Sequence, residues 1–239
     1  MKVKLENSGV FSKAIDLISE LVTEVRIKIN EYGLSITSID PANVAMVNFR
    51  IPRKAFTEFE SSQETLGINL DSLKRILKRS SGSVILEKKE NMLEIQMQDK
   101  IKRNFTLSLI NIDSEEKEMP SLEYSSKIEI NSPDLIDSVE DCAVVSDACS
   151  FIIKENKFII EAKGLNSART EFSGDEVKID AEQCKSRYRI EYLQKFIKAS
   201  KLSPKTILNF ADDHPLKMDI KTEHMEISFL LAPRVETED

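Results

Sequence analysis

At 239 residues, 41% hydrophobic and 31% charged, the chain falls among soluble globular proteins and can form one large domain or two. Its 34 Lys and Arg against 41 Asp and Glu leave a formal net charge of -7. No apolar run approaches the roughly 18 residues of a membrane span, and the opening MKVKLENSG has no apolar signal region, which sets membrane and secreted classes aside and points to the cytosol or nucleus.

In chain order, the first half reads as a helix over roughly 9 to 21 and strands VRIKI, LSITSI and VAMVNFRI. A second helix spans roughly 71 to 79, followed by strands VILE, MLEIQM and FTLSLINI. The acidic stretch DSEEKEMPSLEYSS, with Pro120 inside it, reads as a linker over 113–126 between an N-terminal domain 1–112 and a C-terminal domain 127–234. The second half repeats the pattern: strand KIEI, a helix over 133 to 142, strands FIIK, KFIIEA and ARTEFS, a helix over 191 to 200, then TILNF, LKMDI and MEISFLL. VETED, 235–239, reads as an acidic tail. Cys142, Cys149 and Cys184 are odd in number, and each lies inside an ordinary helix or strand pattern. They read as small core residues rather than a disulfide framework.

LKRILKRSS, at 73–81, stands out in so acidic a chain. Leu73, Ile76 and Leu77 form an apolar stripe, while Lys74, Arg75, Lys78 and Arg79 stack like charges at i and i+4, where they repel one another and add nothing to the helix. A solvated face is the plainer reading, and a partner outside the helix is the sharper one. The motif recurs at an offset of 120, with Leu193 on Leu73, Lys195 on Arg75, Ile197 on Leu77 and Lys198 on Lys78. A second set aligns at an offset of 124, with Leu21 on Val145, Ile29 on Ile153 and Ile36 on Ile160. The fold class is therefore α+β, two similar domains each with two helices packed on β-sheets.

GLSITSIDPANVAMV, GINLDSLKRILK, FIIKENKFIIEAKG, EYLQKFIKASKLSP, HPLKMDI and the C-terminal FLLAPRVE, spread over nearly the whole chain, together resemble the DNA sliding clamps of the proliferating cell nuclear antigen family. The short linker is most similar to archaeal members. That resemblance implies the DNA clamp fold and a closed ring that tethers a replicative polymerase to duplex DNA as a processivity factor in replication and repair. It also implies a clamp loader, and polymerase, flap endonuclease and DNA ligase as partners docking through tail peptides. The place of work would be the archaeal cytoplasm on the chromosome, or the nucleus in a eukaryote.

Carried over by position, Lys13, Arg75, Lys78 and Lys198 match basic positions lining the hole. Arg79, Lys195 and Lys201 are added on charge and helical phase. The helix SPDLIDSVEDCAVV departs from the family: it has no Lys or Arg and carries Asp137, Glu140 and Asp141, so either these acids face away or DNA contact is lopsided. Ile39, Val44, Met46, Pro215, Leu230 and Ala232, with Met119 and Leu122 from the linker, match the surface pocket that receives partner peptides. EEKE at 115–118 favours partners with basic flanks. Subunit contact maps to the edges RNFTLSLIN and ARTEFSG, with Phe105, Leu107, Leu109, Arg169, Glu171 and Phe172, and a homotrimer is favoured over a mixed ring of related chains.

No phosphate-binding glycine loop or H-E-x-x-H is present, and His214 and His224 have no nucleophile or ligand spacing around them. No catalytic residue, metal or cofactor is expected. The rival readings are a metal-dependent DNA-processing enzyme built on scattered carboxylates, and a structural β-protein with no DNA function.

Overall fold

The computed structural model describes residues 1–60 and 63–234, so the predicted acidic tail at 235–239 lies outside the described residues. The first half runs β1 (Lys2–Leu5), α1 (Gly9–Ile18), β2 (Glu24–Asn30), β3 (Gly33–Ile39), β4 (Ala45–Pro52), β5 (Glu58–Glu60), β6 (Glu64–Asn69), α2 (Leu70–Leu77), β7 (Ser83–Lys89), β8 (Met92–Gln98) and β9 (Lys102–Ser108). The second half follows the same order: β10 (Ser126–Asn131), α3 (Ser132–Val145), β11 (Ala148–Lys154), β12 (Lys157–Lys163), β13 (Ser167–Phe172), β14 (Lys178–Ala181), β15 (Cys184–Arg189), α4 (Ile190–Ser200), β16 (Lys205–Phe210), β17 (Leu216–Lys221) and β18 (Glu226–Leu231).

Pairing repeats along with order. Strands β5-β1-β7-β8-β9 lie side by side, matched by β14-β10-β16-β17-β18, and β4-β3-β2-β6 is matched by β13-β12-β11-β15. The internal repeat read from the basic helix is thus a duplication of topology. The chain forms two compact units, one of Met1–Pro41, Val47–Glu118 and Glu223–Ile227, the other of Ala42–Met46, Met119–Thr222 and the residues from Ser228 on.

In the first unit, β2 buries Val25, Ile27 and Ile29 and turns Arg26 and Lys28 outward, the period-two pattern of a half-buried strand. Against such faces α1 buries Phe11, Ala14, Ile15 and Ile18, and α2 buries Leu70, Leu73 and Leu77. Asn69 caps α2 by accepting a hydrogen bond from Ser72 N at 3.0 Å. In the second unit, Phe151, Phe158, Tyr188 and Phe210 form an aromatic cluster, and Phe196 of α4 stacks on Phe229 at 4.3 Å between ring centroids. Cys142, Cys149 and Cys184 are free and buried. Among the described residues no helix is long and apolar enough to cross a membrane, and no group of His, Cys, Asp and Glu could hold a metal ion.

Five strands escape the sequence pattern. β15 alternates, but with Cys184, Ser186 and Tyr188 inward, so its buried face carries little hydropathy signal. β6 holds Gly67, where an added Cβ would stand 2.1 Å from Ile110 O, and Ile110 N donates to Gly67 O at 2.9 Å. The chain leaving β9 passes too close for any side chain there. β1, β5 and β14 are only three or four residues long, too short for a periodicity to show.

Candidate nucleic-acid interface and peptide pocket

Both helices of the first unit carry cations outward. Lys13 on α1, Arg75 on α2, and Lys78 and Arg79 just after it are exposed. Part of the positive face of α2 meets a charge from within the same unit, on α1. Asp16 Oδ1 accepts from Lys74 Nζ at 2.9 Å and from Lys78 Nζ at 2.8 Å. Partial burial pushes the Asp16 carboxyl up, but the hydrogen bonds from Lys78 and Lys74 outweigh it, and its pKa lies below the ordinary value. The hydrogen bond to Asp16 raises Lys74 in turn. No carboxylate lies within ion-pair range of Lys13, Arg75 or Arg79 among the described residues.

The second unit places Lys198 and Lys201 at the surface and Lys195 half-buried. Lys195 Nζ sits 3.1 Å from Glu191 and 5.1 Å from the Tyr192 ring centroid, so its charge is partly satisfied at home. On α3, Asp137, Glu140, Asp141 and Val144 fall on one stripe and are all exposed. The acids therefore meet solvent, and α3 contributes a negative, not a positive, surface.

Of the eight sequence-selected apolar residues, seven lie in the second unit. Met46 and Leu230 are buried, while Val44, Met119, Leu122, Pro215 and Ala232 are half-buried. Val44 O accepts from Ala232 N at 2.9 Å, which ties the loop before β4 to the segment after β18. Ile39, in the first unit, is half-buried at the end of β3. Pro215 is held by neighbours the sequence reading passed over: His214 O accepts from Tyr188 OH at 2.8 Å and Ser186 Oγ at 3.0 Å, and Asp212 caps Lys185 N. Tyr124 lies edge-on to the His214 ring at 5.5 Å, and burial, with the charge of Asp219, pushes its phenol up to about 12. These are tyrosines and a turn histidine, residue types whose isolated positions carry no periodic signal.

The acidic stretch is less free than it reads. Arg26 donates to Ile112 O and Ser114 O, Lys28 pairs with Glu116, and Lys117 with Glu115. Its start is fastened to β2, and two of the three glutamates in EEKE already face a cation.

Among the predicted edge strands, β9 and β13 each end a sheet run and have one neighbour only. Leu109 N donates to Asn91 O at 3.0 Å, and the register sets Leu107 opposite Leu93 and Phe105 opposite Ile95. Antiparallel ladders alternate, so the amides of Phe105, Leu107 and Leu109 point into their own sheet and those of Asn104, Thr106 and Ser108 line the open edge. On β13, Gly164 N donating to Asn166 O fixes the phase the other way for the residues named from sequence: Arg169 and Glu171 present their amides outward and Phe172 inward. Arg103 pairs with Asp99 at 2.9 Å, and Glu171 with Arg169 and Lys157, so the charges at both edges have partners within their own unit.

Family models describe the two halves as "Proliferating cell nuclear antigen, N-terminal domain" over residues 1–117 and "Proliferating cell nuclear antigen, C-terminal domain" over 118–235. The chain is similar to the DNA polymerase sliding clamps of Pyrococcus horikoshii, 34% identical over 247 residues, and Thermococcus onnurineus, 36% identical over 245 residues, with 98% of each chain covered in both cases. Its fold is similar to the crystal structure of PCNA from Thermococcus kodakaraensis, at a TM-score of 0.90 and 26% identity over 98% of this chain and 99% of that one. The Entamoeba histolytica structure, at a TM-score of 0.90 and 22% identity over 98% of each chain, shares the fold. With family models tiling both halves and relatives aligned along nearly the whole length, the chain belongs to the proliferating cell nuclear antigen family.

Proposed function

We propose that this chain is a DNA polymerase sliding clamp: a ring subunit that encircles duplex DNA and tethers a polymerase as a processivity factor, without itself catalysing a reaction. The observation that carries the reading is the duplicated unit with a basic helix at the same place in each copy, within a chain of net negative charge. Phosphates attract Lys and Arg without regard to base sequence, and such contacts reach only about 10⁻⁴ to 10⁻⁶ M for ordinary non-specific binding. Retention then comes from the closed ring, and loose contact permits sliding.

In this reading three copies join head to tail through β9 and β13, a clamp loader opens and closes the ring, and the work is done on the chromosome in an archaeal cytoplasm. Lys13, Arg75, Arg79, Lys198 and Lys201 face the duplex, and contact is lopsided because α3 offers only acids. Polymerase, flap endonuclease and ligase dock tail peptides on the second unit around Val44, Leu122, Pro215 and Ala232, with Met46 and Leu230 beneath.

The experiment is the salt dependence of duplex binding. Replacing Lys13, Arg75 and Arg79 by Ala should leave the trimer mass unchanged and flatten the slope of log K against log salt by about 0.9 for each phosphate no longer neutralised. Polymerase stimulation should fall with it. An unaltered slope would remove these helices from the DNA.

A further inference from the structure

The best-defined charge cluster on the basic face is the one the sequence could not show. Lys74 and Lys78 lie one turn apart and repel. A single oxygen of Asp16, Oδ1, meets both, and Lys74 Nζ also donates to Ser19 Oγ at 3.0 Å. The side chains of Asp16 and Lys78 are 40% and 51% exposed, so water and salt screen the pair and its worth to stability is small. Its effect on the surface is larger. Beside Lys13, Arg75 and Arg79, which have no carboxylate in ion-pair range among the described residues, a cluster of two cations is reduced to a net single charge, and both ammonium groups are held at Asp16.

We infer that Asp16 is a positioning residue that weakens the grip of the basic face on DNA, withholding Lys74 and Lys78 from the phosphates. The inference rests on the proposed DNA-facing role of α1 and α2. A carboxylate placed where the duplex backbone would otherwise compete for the same ammonium groups keeps contact loose. Looseness is what a ring that must slide requires. A carboxylate that merely fastens α1 to α2 would, when removed, leave phosphate binding unchanged or weaker. One that withholds cations would leave it stronger.

The test is binding of the purified ring to a short linear duplex, followed by fluorescence anisotropy across a salt series, with thermal melting and trimer mass as checks on the fold. Asp16→Asn should tighten binding several-fold at low salt and steepen the slope by about 0.9 to 1.8 for each subunit touching the duplex, one increment per cation released. Asp16→Glu, which keeps the carboxylate, should restore the wild-type slope. A second arm leaves Asp16 in place: Lys78→Gln should flatten the slope by far less than Arg75→Gln, because Lys78 is withheld and Arg75 is not. Unchanged or weaker binding by Asp16→Asn, or equal losses from Lys78→Gln and Arg75→Gln, would overturn the inference while leaving the DNA-facing helices intact. A wild-type ring whose binding ignores salt would instead overturn the DNA-facing reading, and the inference with it.

Discussion

Thr106→Pro should turn the ring into folded monomers that still bind partner peptides. Proline removes a backbone donor and suits only an open edge. The ladder phase on β9 decides which residue to change. Leu107 N–H is committed to β8 opposite Leu93, so proline there would break the unit's own sheet, whereas Thr106 N–H faces the open edge and its side chain is exposed. Losing one edge donor and placing a ring against the incoming strand should lower the association constant at least tenfold, about 1.4 kcal/mol. Glu171→Pro on β13 is the matching lesion, because Glu171 also directs its amide outward. Native mass spectrometry reads both. A Thr106→Pro protein that stayed trimeric at submicromolar concentration would remove β9 from the interface.

Leu122→Glu should weaken capture of tail peptides by roughly thirtyfold while leaving the oligomer mass alone. Leu122 is half-buried between exposed Ser121 and Glu123, so a glutamate there meets solvent in the free protein and an apolar anchor in the complex. Desolvating an unpaired carboxylate against hydrophobic and aromatic groups makes this a hot-spot lesion, worth about 2 kcal/mol or some thirtyfold in affinity. Leu230→Glu is the blunter choice: Leu230 is 8% exposed, and a charge there would strike the core as well as the pocket. Isothermal titration with a tail peptide carrying apolar and aromatic anchors gives the answer. Affinity within about threefold of wild type would take Leu122 out of the docking surface.

Much of this was legible in the sequence, and what was not has a common cause. The repeat was visible because Leu73 and Leu193, Lys78 and Lys198 recur at fixed spacing, and among the described residues the same order of two α-helices and nine strands occurs twice. Strands with an unbroken inward run of Ile, Leu, Val or Phe announced themselves, while β6, interrupted by Gly67, and the four-residue β1 did not. β15 did not, because Ser186 is buried through a hydroxyl that donates to His214 O, a partner 28 residues away. The basic face of α2 was legible from helical phase, but Asp16 was not. Its place beside Lys74 and Lys78 depends on how α1 packs against α2, and no local pattern reports that. The edge strands were assigned through the family resemblance and alternate as edges should, yet alternation fixes only where side chains point. Which amides lie free is set by the phase of the neighbouring ladder, and Leu109 bonding to Asn91 supplies it. EEKE read as linker open to basic partners because Arg26 and Lys28, which hold Ile112, Ser114 and Glu116, come from β2 far earlier in the chain.

Retention by a closed ring is topological, and one measurement addresses it directly. The purified protein is loaded with a clamp loader and ATP onto a nicked circular duplex, then passed through a sizing column at salt high enough to break phosphate contacts, before and after the circle is cut once. A sliding clamp should co-elute with the intact circle and leave the cut one, because only a closed ring on a closed path is held without strong contacts. Equal retention on circular and linear DNA, or release from the uncut circle, would contradict the account.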